Sequence, residues 1–112
     1  MTNATLPQSH PRHVRSLPDR RLDATERAEH LPRLINWTAA ADAIERHFDF
    51  PDFHHTMAFV NAVAWIAHEA DHHPDLVVGY NRCHVRWSTH SAQGVTLKDL
   101  ACAAQVDALQ CP

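Results

Sequence analysis

Apolar and polar positions repeat with clear helical and strand periods from residue 22 onward. A helix is expected to begin at the capping-box sequence of residues 23–26 and to end at Pro32, which cannot continue it. Residues 35–37 and 44–50 alternate apolar and polar side chains, which predicts two strands. The strongest helical pattern follows, over residues 53–71.

The long central segment carries two neighbouring apolar stripes at helical spacing. Their members are Met57, Val60, Ala64 and Ala67 in one stripe and Phe59, Val63, Ile66 and Ala70 in the other. An apolar surface this wide predicts that the helix packs against a sheet and has a second contact at a subunit interface.

The remaining pattern completes a recognisable order of elements. After Pro74, residues 76–80 and 83–89 predict two strands, and a second capping box at residues 96–99 begins the last helix. The order α-β-β-α-β-β-α predicts an α+β fold, a two-layer sandwich with a four-stranded antiparallel sheet and three helices on one face. Residues 1–21 have several prolines and no apolar period, so they predict a flexible N-terminal arm before one domain at residues 22–112.

Composition narrows the possible functions. The chain has 112 residues, 45% hydrophobic residues and a formal net charge of −3, so nothing favours a nucleic-acid partner. No apolar run reaches bilayer-spanning length, which argues against a membrane partner. The chain has an odd number of cysteines, and none of them forms a CxxC pair: Cys83, Cys102 and Cys111. This pattern predicts a cytoplasmic protein whose thiols are small buried groups and not nucleophiles.

Eleven histidines are the unusual feature, and several are placed to meet. His68 and His72 lie four residues apart on one helix face, while His73 points about 100° away. His90 ends the last predicted strand, and Asp99 lies in the first turn of the last helix. A helix end, a strand end and a helix start can converge on one cleft, which predicts a site of imidazoles and a carboxylate.

This arrangement resembles the signature of the pterin-4a-carbinolamine dehydratases. The matching spacing is His68-x3-His72-His73-Pro74-x5-Tyr80-x9-His90-x8-Asp99. The similarity continues through Trp37, the strand ending Phe48-Asp-Phe50 and the helix from Phe53 to Ala64, and spans about Leu22 to Leu109. The chain departs from the family at position 68, where a glutamate is common. Glu69 does not replace it, because one helical step turns it to another face.

The resemblance implies a hydro-lyase, a 4a-hydroxytetrahydrobiopterin dehydratase that serves tetrahydrobiopterin recycling. Such an enzyme removes the 4a-hydroxyl as water and yields the quinonoid dihydropterin, with no metal or organic cofactor. Histidine suits this reaction, because hydroxide needs a proton to leave and the ring N5–H must lose one. The resemblance also implies a homodimer or homotetramer that acts on a small pterin.

The same resemblance distributes the catalytic and binding roles. His72 and His90 are expected to form the acid–base pair, His73 to bind and orient the pterin, and Asp99 to orient or tune an imidazole. Backbone groups beside His73, at Pro74, and from Thr89 to Ser91 are expected to bind the flat pterin edge.

Three other interpretations compete with this one. Residues 68–72 also spell HExxH, the helix motif of zinc proteases, but no third ligand follows at the usual spacing. A second alternative is a non-catalytic assembly factor or dimerisation partner of the same fold, for example in Rubisco assembly. A metal-binding histidine module is the third. Asp99 also has a structural alternative, as the capping partner of Thr96.

Overall fold

The computed structural model describes residues 10–109. Its helices are α1 (Ala24–His30), α2 (Phe53–Ala70) and α3 (Leu97–Ala108), with 3₁₀ helices at Pro11–Ser16, Leu31–Arg33 and His90–Ala92. Its strands are β1 (Thr38–Ala39), β2 (Ile44–Asp49), β3 (Asp75–Val78) and β4 (Arg82–Trp87). They form one antiparallel sheet in the order β1-β2-β4-β3, and helices cover one face. The predicted α+β sandwich is therefore confirmed.

The inner face of the sheet is set by alternation along β2 and β4. In the register of these central strands, Ile44 lies opposite Trp87, and Phe48 lies opposite Cys83. All four side chains are buried. The other face carries the polar residues that alternate with them, Glu45, His47, His84 and Arg86, because successive strand side chains point in opposite directions.

The helices begin where the sequence predicts. The side chain of Asp52 accepts a hydrogen bond from the backbone N–H of His55 at the start of α2, and both predicted capping boxes are formed. Of the two apolar stripes on α2, the one from Phe59 to Ala70 is wholly buried, whereas Ala64 of the other stripe is exposed. The Phe59 ring packs against the Phe48 ring with 4.6 Å between centroids.

The first strand differs from its prediction. Residues 35–37 form no strand, and β1 is the two-residue segment that follows. Ile35 is 81% exposed, whereas Trp37 is buried and donates from Nε1 to Asp107 Oδ1 at 2.9 Å. The alternation of these residues therefore reflects a turn that buries one indole, since the N–H of Trp37 bonds to the carbonyl of Leu34.

Residues 10–21 of the predicted N-terminal arm are described by the structure, and Pro11–Ser16 within them form a 3₁₀ helix. Pro11 and Val14 of the first 3₁₀ helix are buried, and this helix packs against α2 and α3. Arg12 binds the carboxylate of Glu69 at 2.8 Å. Two buried side chains among charged ones produce no periodic signal, so the sequence pattern did not reveal this contact. Residues 1–9 lie outside the described residues.

Replacing Val14 with alanine is expected to lower the free energy of unfolding by about 1–3 kcal/mol, because Val14 is fully buried and its loss leaves a cavity. Urea denaturation followed by circular dichroism measures this change. Val77→Ala is the matched control, since Val77 is 68% exposed and should change stability less. Equal effects of the two substitutions would show that the N-terminal segment contributes nothing to the core.

Candidate active site

The C-terminal turn of α2 directs His72 back toward the fold. Asp71 has a left-handed backbone with φ of 51°, and the N–H of His72 donates to the carbonyl of Ala67 at 3.1 Å. This arrangement resembles a Schellman turn, in which a left-handed residue closes the helix and its orphan carbonyls gain partners. Arg15 donates to the carbonyl of Glu69 at 2.7 Å and so adds a further partner.

Asp99 is the centre of a buried hydrogen-bond network. Its side chain is fully buried at the third position of α3. Oδ2 accepts from the backbone N–H of Thr96 at 2.9 Å and from the hydroxyl of Thr89 at 2.7 Å. Oδ1 lies 2.6 Å from Nε2 of His72. Both carboxylate oxygens are thus satisfied, as burial of a charged group requires.

His72 is held on two sides. Its side chain is 12% exposed, and its ring is stacked on Trp87 with 5.6 Å between centroids and 12° between planes. Because the acceptor at Nε2 is a carboxylate, the hydrogen bond places a proton on that nitrogen. Nδ1 is then the nitrogen that remains for a substrate. The imidazole of His72 is therefore held in one orientation, and Nδ1 is the nitrogen at which it can exchange a proton with a substrate.

The loop after β4 places His90 next to Thr89 in the chain. Thr89 is bonded to Asp99, and His90 follows it directly at the start of the last 3₁₀ helix. Consecutive Cα atoms are about 3.8 Å apart, so His90 lies beside the network by covalent connection. Gln93 turns the chain with φ of 56°, and Gly94 pairs with Thr89 to close the loop.

The structure sorts the predicted site residues into two groups. His72, Asp99 and Thr89 are joined by hydrogen bonds at one point. His73 and His90 are chain neighbours of those residues and have exposed side chains. The other two predicted binding residues differ in burial, since Ser91 is exposed and Pro74 is half-buried.

Thr89 makes contacts through both its backbone and its side chain. Its backbone N–H donates to the carbonyl of Gly94, and its own carbonyl accepts from Ala92 and Gly94. The backbone N–H and carbonyl of Thr89 thus both have partners inside the loop. The contribution of Thr89 is its side chain, which binds Asp99 and Thr96.

The zinc-protease interpretation gains no support from these contacts. The carboxylate of Glu69 binds Arg12, which lowers the pKa of that carboxyl, and Nε2 of His72 is engaged by Asp99. His68 is exposed. Within residues 10–109, no group of three or more histidine, cysteine, aspartate or glutamate side chains is arranged to hold a metal ion.

The cysteines that the structure describes are buried, as predicted. Cys83 and Cys102 are both free thiols with no exposure. Burial, reinforced by the charge of Asp99, raises the pKa of Cys102 to about 12, so its thiolate is scarce at neutral pH. Cys111 lies outside the described residues.

Two parts of the site were missed by sequence reasoning. Trp87 lies in the strand predicted at residues 83–89, and its ring forms the surface on which His72 lies. Thr96 was expected to act as a helix cap, and its hydroxyl also contacts that of Thr89 at 2.8 Å. The alternation along β4 directs Trp87 inward at the end of the strand, close to His90 in the sequence. This is the sequence signal for the contact between Trp87 and His72.

Among the described residues, no helix has both the length and the apolar character needed to cross a membrane.

Comparison with known proteins identifies close relatives. The family described as Pterin 4 alpha carbinolamine dehydratase matches residues 20–109. A relative from Nitrosomonas eutropha is 49% identical over 75% of this chain and 76% of its own length. One from Legionella pneumophila is 52% identical over 70% of this chain and 73% of its own length. Both are provisionally named pterin-4-alpha-carbinolamine dehydratases.

Two solved structures share the fold. The transcriptional coactivator/pterin dehydratase from Brucella melitensis aligns with a TM-score of 0.76 and 37% identity, over 80% of this chain and 97% of that one. A pterin dehydratase-like RuBisCO assembly factor of the alpha-carboxysome aligns with a TM-score of 0.55 and 24% identity, over 65% of this chain and 84% of that one. The second likeness concerns the fold alone.

Proposed function

The chain belongs to the pterin 4 alpha carbinolamine dehydratase family, and we propose that it dehydrates a 4a-hydroxytetrahydropterin to the quinonoid dihydropterin. The observation that carries this proposal is the hydrogen bond of 2.6 Å between Nε2 of His72 and the buried carboxylate of Asp99. An oriented imidazole backed by a carboxylate is suited to proton transfer. The reaction needs two such transfers and no redox change.

The dehydration requires one group that donates a proton and one group that accepts a proton. The C4a–O bond breaks and the departing oxygen receives a proton, so that water leaves. The N5–H bond loses its proton, and its electron pair forms the C4a=N5 double bond. One imidazole therefore acts as acid and another as base, and the water-releasing step consumes no external reactant.

We assign the base to His72. When Nδ1 takes the proton from N5, the ring becomes an imidazolium, and the carboxylate of Asp99 beside Nε2 stabilises that charge. The Trp87 ring, which lies parallel to the imidazole, holds it in place and also favours a cation above its face. Asp99 acts through His72 and is therefore a positioning residue.

His90 is then the acid that protonates the leaving hydroxyl. Its side chain is exposed and so accessible to a substrate, and it follows Thr89, whose hydroxyl donates to Asp99. His73, Pro74 and Ser91 supply the binding surface for the pterin edge. These three residues lie beside His72 and His90 along the chain and are at least partly exposed.

Replacing His90 with alanine is expected to lower kcat about 10²-fold or more, because the leaving hydroxide loses its proton donor. His73→Ala is expected to raise KM mainly, since His73 binds the pterin without transferring a proton. Steady-state kinetics of dehydration separates the two parameters. If His90→Ala changed KM alone and His73→Ala changed kcat alone, the two assignments would have to be exchanged.

Stopped-flow absorbance with freshly prepared 4a-hydroxytetrahydropterin tests the function itself. The wild-type protein is expected to accelerate quinonoid formation above the buffer rate, equally with and without EDTA. No acceleration would overturn the proposal and favour a non-catalytic assembly role. Loss of the acceleration in EDTA would show that the dehydration depends on a bound metal ion.

We further propose that residues 22–112 form the catalytic domain and that the protein is located in the cytoplasm. We also propose that copies of the chain associate as a dimer or tetramer through the outward side of α2. Phe53 and Trp65 on this helix are 50% and 52% exposed, which is a large apolar area for a helix surface. Light scattering coupled to gel filtration measures the assembly. A monomer at micromolar concentration would contradict it.

A further inference from the structure

Three polar side chains form a cluster on the face of the sheet that the helices leave open. Glu45 and His47 belong to β2, and His84 belongs to β4. His47 and His84 are direct partners in the strand register. Their neighbours along β4, Val85 and Cys83, are buried on the inner face, so this cluster is separate from His72 and Asp99.

The two imidazoles of this cluster face each other. Nδ1 of His84 lies 3.0 Å from Nε2 of His47, and the ring centroids are 4.3 Å apart with 58° between the planes. On the other side of the ring, Nε2 of His84 lies 2.6 Å from Oε1 of Glu45. Both nitrogens of His84 are therefore engaged, one by a carboxylate and one by an imidazole.

The carboxylate determines which nitrogen of His84 has a lone pair. Glu45 accepts a hydrogen bond from Nε2–H, so neutral His84 carries its lone pair on Nδ1, directed at His47. Histidine ligands of metals commonly have this arrangement, in which the second ring nitrogen donates to a carboxylate that fixes the tautomer. If the proton of neutral His47 moves from Nε2 to Nδ1, then Nε2 of His47 also has a lone pair, next to the one on Nδ1 of His84.

The surroundings leave room for an ion. A cavity of about 490 Å³ is lined by Asn36, Thr38, Glu45, Arg46, His47 and His84. The positive charge of Arg46 is held by Asp107, with Nη1 2.7 Å from Oδ1. Arg86, the register partner of Glu45, is bound to Asp42 at 2.6 Å. The nearest cations are thus neutralised by other carboxylates, while His47 remains exposed.

We propose that His47 and His84 form a binding site for a divalent transition metal ion of the class that prefers imidazole, such as Zn²⁺ or Cu²⁺. His47 Nε2 and His84 Nδ1 are the two protein ligands, Glu45 orients His84, and water completes the coordination. With two protein ligands the site is an exchangeable one on the rigid centre of the sheet, independent of the dehydration chemistry.

Calorimetric titration of the full chain with ZnCl₂ measures the affinity. Glu45→Gln is expected to weaken binding about 10- to 100-fold, as loss of such an orienting carboxylate does, and His47→Gln and His84→Gln at least as much. His54→Gln is the matched control, since His54 is an exposed histidine on α2, and it should bind like the wild type. Equal Zn²⁺ affinity in wild type and His84→Gln would overturn the proposal.

A second measurement on the wild type needs no substitution. Substoichiometric Cu²⁺ should broaden the backbone amide signals of residues 45–49 and 82–86 before any others, because paramagnetic broadening falls steeply with distance. Broadening that begins at residues 68–73 or 54–55 would place the metal on other histidines and would contradict the assignment. Dehydration activity should be the same in wild type and His84→Gln.

Discussion

Replacing His72 with glutamine is expected to lower kcat for dehydration by about 10²- to 10⁴-fold, the range typical of one lost acid–base group. Glutamine has an amide that can still donate to Asp99, but it has no nitrogen that takes up a proton at neutral pH. The substitution therefore keeps the hydrogen bond of 2.6 Å and removes the chemistry at the other ring nitrogen. Stopped-flow kinetics of dehydration measures the loss.

His54→Gln is the control for this change, because His54 is exposed on α2, away from the network around Asp99. It should leave kcat within about twofold, since His54 has no part in the proposed catalysis or binding. Thermal unfolding of both variants shows whether either has lost its fold. A folded His72→Gln protein with nearly wild-type kcat would contradict the role of His72 as base.

Replacing Asp99 with alanine is expected to lower the free energy of unfolding by about 2–5 kcal/mol. The buried hydroxyl of Thr89 and the N–H of Thr96 lose their acceptor, at about 1–3 kcal/mol for each unsatisfied group. The capping box at the start of α3 is lost as well, which costs about 0.5–2 kcal/mol. These terms overlap, so the expected total is smaller than their sum. Urea denaturation measures it.

Asp99→Asn is the conservative partner of this substitution. Its amide oxygen can still accept from the N–H of Thr96, so the loss of stability should be smaller than for alanine. If Asp99→Ala unfolded at the same urea concentration as the wild type, the network would have no structural role. Equal losses in both variants would instead show that the charge of Asp99, and not its acceptor geometry, stabilises the fold.

The elements that the sequence predicted well are those with local signals. The capping boxes at residues 23–26 and 96–99 each lie within four residues, and the alternation in β2 and β4 directly reflects their inner face. The family resemblance then placed His72 and Asp99 in one site, and the structure joins them although 27 residues separate them.

The parts that the sequence did not reveal depend on contacts between distant segments. Val14 is one buried residue in a polar stretch, and what covers it comes from α2 and α3. Thr89 turns inward because Gly94 closes the loop and uses its backbone groups. His47 and His84 meet because of a strand register that joins positions 37 residues apart, which no local pattern specifies.

A double-mutant cycle shows most directly whether His72 and Asp99 act as one unit in dehydration. The kcat values of wild type, His72→Gln, Asp99→Asn and the double variant are measured in one stopped-flow experiment. The double variant is expected to be no slower than His72→Gln alone, because Asp99 acts through that imidazole. A double variant slower by the product of the two single effects would show that Asp99 and His72 act independently.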